Sequence, residues 1–124
     1  MSNQLDLQMS DSNSVPQTKI FAFNGDLDST NATTTLNTIK TTIESGFVNI
    51  VADFKHLRYL NSMGLGILIH LSKIAKEKGG CFRVVRINDN ILDIIQLIGA
   101  HTIIDIHPNL EDALNAICEQ SAKD

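Results

Sequence analysis

The sequence predicts an α/β sandwich, a sheet covered by helices, and three observations point to it. Strand-like and helical segments alternate along the chain. The run Val48–Asp53 is nearly continuously apolar, as a central buried strand is. From Val48 to Ile87 there is room for a strand, a helix and a second strand, a crossover that is parallel and right-handed.

Each element has its own signal. Leu5-Asp6-Leu7-Gln8-Met9 alternates apolar and polar residues, the period of a half-buried strand, and Ser10 to Ser14 is a run of turn formers. Lys19 to Asn24 alternates again with Phe21 and Phe23 on one face, so a hairpin is expected. Residues 1–17 then form its first strand or a flexible tail, and residues 18–120 a single domain. Gly25-Asp26-Leu27-Asp28 breaks the strand, and Asp28 or Ser29 is placed to cap a helix over Asn31–Glu44. Leu36, Ile39 and Ile43 recur there at helical spacing, but the many threonines are poor helix formers, so tertiary packing must hold it.

Downstream of Ser62, Ile67, Leu71, Ile74 and Ala75 form one stripe of a helix running from Ile67 to Lys78, stopped by Gly79-Gly80. Cys81–Ile87 reads as a strand, and Asn88 or Asp89 caps a short helix over Ile91–Ile98 that Gly99 closes. Thr102–Ile106 is the expected last strand. Leu110–Ala122 is the last helix, opened by Pro108 and Asn109.

Composition bounds the function. A chain of 124 residues that is 43% hydrophobic fits one domain with a true core, built from Ile, Leu, Val and Ala because aromatics are scarce. A net charge of −4 argues against a nucleic-acid binder, which needs a Lys/Arg patch. No apolar run approaches the roughly 20 residues of a membrane span, and the polar N-terminus has no signal-peptide character. The expectation is a cytoplasmic protein without membrane insertion. Cys81 and Cys118 lack CxxC spacing and are expected to stay reduced. His56, His70, His101 and His107 fall in different elements without metal-ligand spacing, so neither metal nor cofactor is expected.

The sharpest position is Ser62, in Tyr59-Leu60-Asn61-Ser62-Met63-Gly64-Leu65-Gly66. A serine before a helix caps its free N–H groups; the same groups and the positive end of the helix dipole stabilise a phosphate. Ser62 is therefore a structural cap or a switch. GxSxG is absent around it, so an acyl-transfer enzyme is not expected. Gly64 and Gly66 do not complete a dinucleotide fingerprint, because position 69 is Ile69, and the Walker pattern is missing too. Small residues there let a partner surface or a neighbouring strand approach. Met63 is either core or an adaptable contact, and Asp26 with Asp28 is either a turn pair or an acidic lip.

Three segments resemble the STAS domains, and within them the stand-alone anti-sigma factor antagonists. Phe23-Asn24-Gly25-Asp26-Leu27-Asp28 is similar to the family's Gly-Glu-Leu-Asp strand end. Asp53 to Gly66 resembles its phosphorylation loop, and Gly79-Gly80 and Leu97-Ile98-Gly99 resemble its later punctuation. The resemblance covers about residues 18–117. It implies a STAS-like mixed β-sheet with helices packed mainly on one face, and a partner-switching regulator that is not an enzyme.

In such antagonists the unphosphorylated form binds a GHKL-type serine kinase that doubles as an anti-sigma factor. Phosphorylation ends the complex and a serine phosphatase restores it. Carried over by position, the phosphorylated residue is Ser62; Asp28, Asn61, Met63, Gly64, Leu65 and Gly66 are partner-binding residues. A monomer is expected when free. The chain departs from the family at Asn61, where Asp is usual. That departure keeps two alternatives open: a constitutive docking module without phosphorylation, or a STAS regulatory subunit of an ABC-type lipid transport complex.

Overall fold

The computed structural model describes residues 5–12 and 14–123, with side chains described through Glu119. Residues 1–4 of the expected strand or tail, and Asn13 of the expected turn, lie outside the described residues. β1 (Leu5–Asp11) pairs antiparallel with β2 (Thr18–Leu27), from Leu5 opposite Gly25 to Asp11 opposite Lys19. The alternation seen in the sequence has its cause in that pairing: Phe21 and Phe23 point into the main core, while Ile20 points to the other face.

The sheet continues from β2 with β3 (Asn49–Asp53), β5 (Cys81–Val85) and β6 (Asp105–His107), all parallel. A short strand, β4 (Leu57–Leu60), shares β2 with β3. β3 pairs with the first half of β2, Thr18 to Ala22, and β4 with Gly25 to Leu27 across a register shift at Gly25/Asp26. Gly25 has φ 124° at that irregularity, a conformation open to glycine. The sequence reading took residues 57–60 as loop. Leu57 and Leu60 are buried and the two residues between them exposed, a spacing without the period of two that marks a strand.

α1 (Ala32–Glu44), α2 (Ser62–Glu77) and α3 (Asp89–Ile98) cover one face of the sheet. Ile39, Ile43, Leu68, Leu71, Ile91 and Ile95 of these helices pack on Phe21, Phe23, Ile50, Phe82 and Val84. Phe23 and Phe54 meet edge to face at 5.1 Å, a geometry that adds about 1 kcal/mol to simple burial. α4 (Leu110–Lys123) lies on the opposite face, where Ala113 and Ile117 close a smaller core over Val51, Cys81 and Val85. Three helices on one side and one on the other give the mixed α/β sheet expected.

Several boundaries differ from the sequence reading. α1 begins with Asn31 as its N-cap, without a side-chain cap; the backbone C=O of Asp28 accepts the Ala32 N–H at 2.9 Å instead. The expected strand Thr102–Ile106 is a 3₁₀ turn over Ala100–Thr102 followed by β6 at Asp105–His107. The apolar residues that suggested a strand, Ile103 and Ile104, follow a turn anchored by the burial of Ala100 and Ile104. The glycine pair behaves as read. Gly79, at φ 86°, ends α2, and a Cβ on Gly80 would sit 1.9 Å from the Val48 carbonyl oxygen. Cys81 and Cys118 are both free.

Candidate functional site

The site begins where β4 hands the chain to α2. Asn61 is extended (φ −101°, ψ −178°), and its backbone N–H donates to the Leu27 carbonyl at 3.3 Å, fixing it to the end of β2. Its Oδ1 accepts the Gly64 N–H at 2.9 Å, which makes Asn61 the N-cap of α2. Its Nδ2 donates to Ser29 Oγ at 3.1 Å. The cap reading of Ser62 is thereby corrected: Ser62 is the first residue of the helix, and the residue before it does the capping.

Ser62 is exposed, and its hydroxyl has no hydrogen-bond partner among the described residues. The N–H groups of Ser62 and Met63 likewise have none there, so two free donors of the first turn stand beside that hydroxyl. Met63 is 45% exposed. One turn on, Gly66 is exposed with nothing within 4 Å of where a Cβ would stand.

Gly64 and Leu65, expected on a docking surface, are buried. A Cβ on Gly64 would come within 2.7 Å of the Leu27 carbonyl oxygen, so this glycine lets α2 approach the end of β2. Leu65 is 3% exposed, part of the main core. Their direction follows from helical geometry: with Asn61 capping, positions 64, 65 and 68 form the inner stripe and positions 62, 63 and 66 the outer one.

Asp28 anchors the neighbouring turn. Its Oδ1 accepts from the Thr30 N–H at 2.9 Å and the Thr30 hydroxyl at 2.5 Å, while its own N–H donates to Asn31 Oδ1 at 3.1 Å. Asn31 Nδ2 closes the turn on the Asp26 carbonyl at 2.8 Å. Asp26 and Asp28 do not form an acidic lip, because Asp26 is buried and its carboxylate faces Arg58 Nε at 3.5 Å. The Ser29–Asn61 hydrogen bond joins this turn to the head of α2, which brings Asp28, Asn61 and Ser62 into one region. Sequence reasoning gave Ser29 no part in that junction.

A model of the STAS domain family matches residues 9–113. The chain belongs to the STAS domain family. Among curated relatives, this STAS domain is 29% identical over 69 residues to an anti-sigma F factor antagonist of Paenibacillus polymyxa, a match covering 56% of the chain and 59% of that protein. The matched segment thus spans a little over half of that relative's length. An anti-sigma factor antagonist from Mycobacterium paratuberculosis superposes with a TM-score of 0.81 at 23% identity, over 93% of this chain and 95% of that one. The Bacillus cell fate determinant SpoIIAA in its phosphorylated form superposes with a TM-score of 0.69 at 17% identity, over 90% of this chain and 99% of that one. These likenesses show the shared fold. Among the described residues, no helix of this STAS domain is long and apolar enough to cross a membrane.

Proposed function

We propose that this STAS domain is an anti-sigma factor antagonist of a partner-switching pathway and that Ser62 is its phosphorylated residue. Unphosphorylated, it docks a GHKL-type serine kinase that is also the anti-sigma factor; phosphorylation ends that complex and a serine phosphatase restores it. The observation that carries the reading is the division of labour at the head of α2: Asn61 holds the cap, and Ser62 is left exposed with its hydroxyl unengaged. A serine presented in this way suits another protein's active site. The named relatives, an anti-sigma F factor antagonist and a protein known in a phosphorylated form, support the same reading.

The chemistry is favourable at this position. A phosphate adds about −1.5 to −2 charges at neutral pH. The free Ser62 and Met63 N–H groups and the dipole of α2 stabilise a surface anion by about 0.3–1 kcal/mol, so the fold tolerates it. Asn61 caps without a charge of its own, so it does not repel a phosphate on the next residue. A partner lying over Met63 and Gly66 meets a bulky dianion instead, and each 1.4 kcal/mol lost weakens binding about tenfold.

Site-mapped intact mass of the protein from its native cells is the test. One phosphatase-sensitive phosphate on Ser62, together with loss of kinase binding in Ser62→Asp, is the expected result. A Ser62 that stays unmodified through growth and stress would overturn the switch and leave a constitutive docking module.

A further inference from the structure

β1 ends the sheet order, and among the described residues no strand lies on its outer side. An open edge is a template for another strand, and proteins guard edges with lysine, proline, bulges, short length or charge. β1 runs seven residues, Leu5-Asp6-Leu7-Gln8-Met9-Ser10-Asp11, without lysine or proline, and its register on β2 has no shift. Its guards are two aspartates, and both are engaged. Asp6 Oδ2 accepts from Gln8 Nε2 at 2.9 Å, and Asp11 pairs with Lys19 of β2. The inner side of this edge is unfinished. Leu7 and Met9 stand opposite Phe23 and Phe21, so Leu5, Leu7 and Met9 lie on the face that carries the main core. Leu5 and Leu7 pack against that core, but Met9 is 55% exposed. Leu5 and Leu7 also line an open cleft of about 190 Å³ with Thr34, Thr35 and Thr38 of α1. One strand thus carries an uncovered methionine and, earlier on the same face, a cleft of a size to receive such a side chain.

The sequence of the strand selects the occupant. Let β1 pair antiparallel with a second β1 about a two-fold axis, so that opposite residues share a face. Centring the axis on Gln8 pairs all seven residues: Gln8 with Gln8, Leu7 with Met9, Asp6 with Ser10 and Leu5 with Asp11. No carboxylate then stands opposite another, and each Met9 lies across from the other copy's Leu7, beside its cleft. Moving the axis to Leu7 or Met9 leaves two residues of β1 without a partner. Pairing β1 with β6 fits worse, because β6 has three residues and the contact is head-to-tail and does not close. We propose that the chain forms a two-fold dimer through β1, in place of the monomer expected from the sequence. The two sheets become one, with Met9 of each copy over the cleft beside Leu5 and Leu7 of the other. This pairing does not rest on the role proposed for Ser62.

Sedimentation velocity of the full chain, from micromolar to millimolar concentration, is the first test. A monomer–dimer equilibrium is expected, and Met9→Lys, an exposed change that spares the fold, should raise its dissociation constant about tenfold. Register is read by oxidative cross-linking in a Cys118→Ser background, since Cys118 is exposed and Cys81 buried. Opposite Cα atoms stand about 4.5–5.5 Å apart, within reach of a disulfide. Gln8→Cys should therefore cross-link to its own copy about tenfold faster than Asp6→Cys or Ser10→Cys alone. The copies of each of those two residues are offset by four positions, about 13 Å along the strand. A mixture of Asp6→Cys with Ser10→Cys should cross-link as Gln8→Cys does. The proposal is overturned if the chain stays monomeric at millimolar concentration, if Met9→Lys changes nothing, or if Gln8→Cys cross-links no faster than the single controls. Association beyond a dimer would overturn it too, because a two-fold contact closes on itself.

Discussion

Asn61 makes four bonds at one junction: to the end of β2 through its N–H, to the first turn of α2 through Oδ1 and through its carbonyl, which accepts the Leu65 N–H, and to the Asp28 turn through Nδ2. Replacing it by alanine removes the cap and is expected to cost about 1 kcal/mol, read as a lower urea midpoint with an unchanged slope. Asn61→Asp keeps an acceptor for the Gly64 N–H and should lose less. The two nearby glycines make a sharper contrast, although the sequence reading treated them alike. Gly64→Ala forces a Cβ against the Leu27 carbonyl and should destabilise by about 1–3 kcal/mol. Gly66→Ala meets open space in an exposed helix and should stabilise by about 0.5–1 kcal/mol. If Gly66 lies under the kinase, the same stabilised variant should bind it more weakly, so thermal denaturation and binding move in opposite directions.

At the scale of elements, α1 shows how packing overrides propensity. Thr38 and Thr42 turn their hydroxyls onto the carbonyls of Thr34 and Thr38, at 2.9 and 3.0 Å, and the helix is held by Ala32, Ile39 and Ile43 in the core. Thr41 is exposed, with no bond from its hydroxyl among the described residues, so Thr41→Ala should raise stability by several tenths of a kcal/mol, seen in the denaturation midpoint. α1 was legible because the spacing of Ile39 and Ile43 outweighs the local cost of threonine. β4 was not, because four residues with both end leucines buried carry no strand period, and their pairing depends on a β2 long enough to serve two neighbours.

Over the whole molecule, the edge strand β6 brings a titratable group partly into the fold. Burial and then the nearby Arg83 guanidinium lower the pKa of His107 below its ordinary 6.5, against a smaller opposing pull from Asp105 and Asp112. The sign follows. Above pH 6.5 the group is neutral in both states; as pH falls below 6.5 the unfolded chain takes up the proton first, and stability is lost. His107→Gln, whose amide oxygen can still accept from Arg83, should flatten the dependence of the thermal midpoint between pH 7 and pH 5. An unchanged slope would mean that the Arg83–His107 contact at 3.0 Å contributes nothing to acid sensitivity.

Periodicity and punctuation by themselves determined the hairpin, the buried strands, the helices and the glycine stops, because hydrophobic spacing and backbone freedom act over a few residues. The loop's own residues singled out Ser62 as a cap or a switch, and the resemblance then implied the switch. Only the tertiary structure decided which residues of that loop face outward. The direction of each side chain at the head of α2 depends on which residue caps it, and that depends on a carbonyl at the end of β2 and a hydroxyl at Ser29, both more than thirty residues away in the chain. Once Asn61 takes the cap, the helical turn sends Gly64 and Leu65 into the core and leaves Ser62, Met63 and Gly66 in solvent.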